Sequence, residues 1–113
     1  MLTVDKLREY GANVDEGLAR CLNDAGFYIS LVTSAIKDDG IYRLEEAIAA
    51  NDLDKAFEIA HALKGMYSNI SITPVFEPVN EMTELLRSRT QTDYSALMSE
   101  AKTQYERLIE TSK

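Results

Sequence analysis

The chain has 113 residues, 45% apolar and 27% charged, a composition that argues against disorder and is enough for one domain. One cysteine and one histidine exclude intramolecular disulfides, multi-cysteine zinc sites and any chemistry needing two imidazoles from one chain. Twelve basic against 19 acidic residues, a formal net charge of −7, argue against a nucleic-acid binder or an anionic membrane surface, both of which need a basic stripe.

The opening MLTVDKLREY lacks an apolar core of signal-peptide length. No stretch of the chain approaches the roughly 18 apolar residues of a spanning helix. The lone Cys21 fits a reducing compartment, so a soluble, cytoplasmic domain is expected.

The elements follow in chain order, and all are helical. Thr3 is placed to cap a short helix over residues 4–10, which Gly11 ends. VDEGLARCL, residues 14–22, is a second short helical piece. Asn23 or Asp24 caps a longer segment, residues 25–37. The turn Asp38-Asp39-Gly40 separates it from residues 41–50, and Asn51-Asp52 is the next turn and cap. Residues 53–71 form the central helix. Thr73-Pro74 is a start signal, with Thr as N-cap and Pro at the first helical position, for a helix reaching residue 89. Thr92 or Asp93 caps a last helix over 93–110, with Tyr94, Leu97, Met98, Ala101, Tyr105, Leu108 and Ile109 on one stripe. Short loops make neighbouring helices antiparallel. The expected architecture is an all-α, up-down antiparallel four-helix bundle over about 24–111, with an N-terminal helical arm over about 1–22.

On a helical wheel, Leu53, Ala56, Phe57, Ala60, Leu63, Tyr67 and Ile70 share one apolar arc, which must face the core. His61 falls off that arc. Gly65, Ser68 and Ile72 follow it at i+4, i+7 and i+11 on the same side, and Asp54 and Glu58 precede it. A glycine inside a helix costs about 1 kcal/mol relative to alanine and needs a packing or functional reason. One turn beyond an exposed histidine, it leaves a gap where another surface can approach. Lys64 adds a positive charge beside the imidazole. An ordinary histidine titrates near pH 6.5, so near neutrality much of it is uncharged and nucleophilic.

His61-Ala62-Leu63-Lys64-Gly65 resembles the H-x-x-K-G signature of histidine-containing phosphotransfer (HPt) domains. The surrounding AFEIAHALKGMYSNI is similar to that family's central helix. ITPVF, the upstream DDGIYRLEEAIAANDLDKA and the opening VDEGLARCLNDAGFYISLV also resemble the family, so the likeness covers nearly the whole chain. The resemblance implies a four-helix bundle that serves as a phosphorelay intermediate. His61 would be the phospho-acceptor, Lys64 would neutralise phosphoryl oxygens, and Gly65 would give room for the partner. That partner is the receiver domain of a response regulator, with a histidine kinase as a second candidate. The receiver would supply magnesium and most catalytic groups, and the chain would carry no cofactor of its own. Glu58, Ser68 and Ile72 complete the expected partner-binding face, and a monomer is expected. The family usually has small residues where Met66 and Tyr67 stand, and commonly glycine where Ser71 stands. A buried Tyr67 hydroxyl would need a partner.

The alternative is a helical adaptor, or a degenerate relay domain, that binds a signalling partner without phosphotransfer. Carboxylates Glu77, Glu81 and Glu84 share one helix face and read as solvated rather than metal-binding. Glu58-x-x-His61 is the sole Glu-x-x-His motif, where di-metal bundles use two. No metal site is expected.

Overall fold

The computed structural model describes all residues from Met1 to Lys113. Its helices are α1 (Val4–Tyr10), α2 (Val14–Arg20), α3 (Ala25–Lys37), α4 (Gly40–Ala49), α5 (Leu53–Asn69), α6 (Thr73–Arg87) and α7 (Ser95–Thr111). Local chemistry sets four of the seven helix starts. The side chains of Thr3, Asn13, Asp24 and Asp52 each accept a hydrogen bond from the backbone N–H three residues on. Gly11 ends α1 in the left-handed region, at φ 110°.

α3 and α4 form one broken rod. At the break, the Asp38 carboxylate accepts the Gly40 N–H at 2.7 Å. The Tyr105 hydroxyl donates to the carbonyls of Ile36 and Asp38 from across the bundle. The rod, α5, α6 and α7 make an up-down four-helix bundle. Lys64 of α5 pairs with Glu84 of α6, and Asp54 with Arg89 just past its end, so α5 and α6 run antiparallel. Tyr42 and Glu45 of α4 meet Glu106 and Lys102 of α7, which sets α7 antiparallel to the rod.

The core runs the length of the bundle. Tyr28, Val32, Leu44, Ala56, Ala60, Tyr67, Val79, Met82, Leu86, Ala101 and Leu108 are all fully or almost fully buried. Burial pushes the Tyr28 phenol up to about 12, so it stays a neutral donor, here to the Ile70 carbonyl at 2.9 Å. Tyr67 lies where the wheel places it, in the core, and its hydroxyl is the one buried side-chain polar atom without a partner.

The two arm helices lie against the bundle. α1 runs antiparallel to α7, with the Tyr10 hydroxyl donating to the Gln104 carbonyl at 2.8 Å. α2 covers the α5–α6 turn. The Asn13 N–H donates to the Ser71 carbonyl at 2.9 Å, and the Ser71 hydroxyl to Glu16 at 3.1 Å. Gly17 admits the Tyr28 ring, since a Cβ there would stand 2.6 Å from it.

Several expected ends move. α2 stops at Arg20, because Leu22 and Asn23 take left-handed conformations that turn the chain into α3. α5 stops at Asn69 and α6 at Arg87. Thr73 is the first residue of α6 rather than its cap; Ile72 takes the cap position, without a side-chain hydrogen bond. No helix is long and apolar enough to cross a membrane.

Candidate functional site

α5 presents its solvent face between α4 and α6, and His61 sits in the middle of that face, exposed. Gly65 follows one turn later. A Cβ built on it would have nothing within 4 Å, whereas Cβ atoms on Gly17 and Gly40 would collide with Tyr28 and Leu63 at 2.6 Å. Those two glycines are explained by close packing. Gly65 is not, and it leaves open space beside the imidazole in the middle of a helix where alanine would be more stable.

The imidazole does not stand alone. The Phe57 ring, four residues earlier, stacks on it with centroids 5.6 Å apart and planes 22° from parallel. Phe57 packs against the core from the edge of its arc, half-buried, and lays its ring against His61. Two guanidinium groups from the far end of α6 lie over the same ring, Arg87 at 5.2 Å and Arg89 at 4.8 Å from its centroid. Lys64 is half-buried and reaches across to Glu84 at 3.1 Å. The second Glu84 oxygen takes Arg87 at 3.0 Å. Hydrogen bonds from Arg87 and then Lys64 hold the Glu84 carboxyl below the usual carboxylate range.

Lys64 is the only cation within one turn of His61 along its own helix, and Arg87 and Arg89 reach the Phe57 ring that stacks on the imidazole. The added residues Phe57, Glu84, Arg87 and Arg89 escape a reading of α5 alone. An aromatic at i−4 from the histidine is a legible helical pair. The α6 groups depend on the offset between two helices, which one wheel does not contain.

Glu58 is exposed on the other flank of His61. It borders a groove of about 330 Å³ between α4 and α5, together with Asp38, Arg43, Ala62 and Met66. Ser68 is half-buried and borders a smaller hollow of about 190 Å³ under α2, with Glu16, Ser71 and Phe76. Ile72 does not belong to this face. It is fully buried, because α5 ends at Asn69 and Ser71, at φ 53°, turns the chain inward before Ile72 is reached. Continuing the wheel past the helix end placed Ile72 on a surface that it never joins. No three His, Cys, Asp or Glu side chains gather as metal ligands.

The structure thus brings together a lone exposed histidine, a lysine and an unobstructed glycine in the next turn of one helix of an antiparallel bundle. Its own residues make no enclosed pocket around the imidazole. Comparison with known proteins bears on the same stretch. The family model described as Hpt domain matches residues 38–111, from the α3–α4 break through the end of α7. No curated protein and no solved structure matches the chain. The match spans well over half of the chain and includes all of α4, α5, α6 and α7, so the chain belongs to the Hpt domain family, and its role lies in two-component phosphorelay signalling.

Proposed function

We propose that this chain is a phosphorelay intermediate that accepts a phosphoryl group on His61 and exchanges it with the aspartate of a response-regulator receiver domain. The observation that carries the reading is the exposed imidazole beside the empty space at Gly65. A neutral imidazole nitrogen attacks the phosphorus of the receiver's aspartyl phosphate. The new P–N bond forms as the P–O bond to the aspartyl carbonyl breaks, and its electron pair leaves on the carboxylate. The proton stays on the other ring nitrogen. Magnesium and the groups that stabilise the leaving carboxylate come with the receiver. This chain contributes position: Phe57 fixes the plane of the imidazole, Lys64 offers a cation to the phosphoryl oxygens, and Gly65 leaves room for the receiver. Glu58 and Ser68 flank that approach.

The test is incubation with phosphorylated receivers, scoring acid-labile phosphate on the chain. His61→Gln abolishes labelling and leaves the helical circular dichroism spectrum unchanged, since the side chain is exposed. Equal labelling of the variant refutes the assignment. Binding of a receiver without any labelling of the wild type identifies a non-catalytic adaptor instead.

A further inference from the structure

Lys64 follows His61 by one turn, Arg87 lies over the Phe57 ring that stacks on the imidazole, and both are already paired. Glu84 holds them with separate oxygens, at 3.1 and 3.0 Å. The third cation, Arg89, is paired with Asp54. All three sit on the α6 side of His61, linked to it through Lys64's place one turn along α5 and through the Phe57 ring. Of the two carboxylates, only Glu84 engages the lysine that follows His61.

We propose that Glu84 is a positioning residue that acts as an internal counter-anion: it occupies Lys64 and Arg87 while His61 is unmodified and yields them to the phosphoryl group once His61 carries it. The inference rests on the reading of His61 as phospho-acceptor. A phosphoryl group brings up to two negative charges onto a chain that already has a net charge of −7. Its oxygens and the Glu84 carboxylate are competing acceptors for the same N–H donors. The competition is winnable because the Glu84 side chain is half exposed, at 52%, and water can receive it when it lets go. Before transfer, the pairing holds Lys64 extended toward α6 and off the path of an incoming receiver. After transfer, the lost pairing is a cost on the phosphorylated state, so Glu84 keeps phospho-His61 from becoming a sink and favours onward transfer.

The experiment compares wild type, Glu84→Gln, Lys64→Ala and the double variant with two phosphate donors. One donor is a phosphorylated receiver, read at equilibrium as the ratio of phospho-His61 to phospho-receiver. The other is phosphoramidate, a small donor whose P–N bond breaks as the imidazole P–N bond forms and ammonia leaves; it needs no docking. Glu84→Gln raises the equilibrium ratio about two- to fivefold, the range that an exposed ion pair commands. It speeds phosphoramidate labelling by a similar factor, and both gains shrink at high salt. In the Lys64→Ala background, most of the gain disappears. An unchanged or lowered ratio in Glu84→Gln overturns the proposal, as does a gain that survives intact without Lys64. Failure of both donors to label the wild type refutes the phospho-acceptor reading itself, a different result from labelling that ignores Glu84. Melting temperature is measured alongside: a purely structural ion pair moves that value and leaves the ratio alone.

Discussion

Gly65 gives the strongest separation between fold and function. In the helix interior, replacing glycine by a good helix former such as glutamine removes an entropy cost of about 0.5–1 kcal/mol. The gain is collected in full only where the new side chain meets nothing, and a Cβ at Gly65 has no neighbour within 4 Å. For a domain of this size, that corresponds to a rise in melting temperature of roughly 2–5 °C. The same side chain projects into the space beside His61 through which a receiver must come. Gly65→Gln is therefore expected to be more stable and to accept phosphate from a receiver at least tenfold more slowly, about 1.4 kcal/mol on the transfer barrier. Phosphoramidate, which needs little space, should still label it at close to the wild-type rate. Thermal melts with the two labelling assays decide the matter. Unchanged receiver transfer would mean that the glycine does not keep the approach open. A loss of stability would mean that α5 meets another element at this position, and the exposure of His61 would be in question with it.

Tyr67→Phe removes the one buried hydroxyl that lacks a partner, so chemical denaturation should show a gain of about 1–3 kcal/mol, with phosphotransfer unchanged; a loss of stability would refute the placement of that hydroxyl. Gly17→Ala drives a methyl group into the Tyr28 ring, which its hydrogen bond to Ile70 holds in place, and should cost about 1–3 kcal/mol in the same measurement. A neutral result there would show that α2 does not pack on α3 as described.

What a single sequence reveals depends on how far apart the interacting groups are. The caps at Thr3, Asp24 and Asp52 act on N–H groups three residues away, so their positions are readable from local residue types alone. The helical period places Tyr67 inside and His61 outside for the same reason. Ile72 fails because a wheel assumes that the helix continues. The warning was present in Ser71, which occupies a place where the family commonly has glycine, and which adopts the positive φ that glycine tolerates best. Thr73-Pro74 marks the start of α6 correctly but one position late for the cap, since the reversal at Ser71 brings Ile72 into that role. Glu84, Arg87 and Arg89 were out of reach because their meeting with α5 depends on helix offset. Periodicity along α6 says which face is polar, not which α5 residue that face meets.

Ser71, where the family commonly has glycine, and His61 lie in different parts of the molecule, with different supports. Ser71 lies ten residues beyond His61, past the end of α5 at Asn69. Its left-handed backbone is held by α2 through Asn13 and Glu16, while Gly17 of α2 accommodates the Tyr28 ring, whose hydroxyl holds the Ile70 carbonyl. The surroundings of His61 are supplied instead by Phe57 on its own helix and by the far end of α6. A substitution in α2 should therefore lower stability without changing the rate of transfer per folded molecule. A substitution at Glu84 should change transfer with little effect on stability, because its ion pairs are exposed. Tyr67 is fully buried between the two regions, and it borders the hollow under α2 with Ser68 and Ser71. Its orphan hydroxyl is a cost on the fold, and nothing places it in the path of the phosphoryl group.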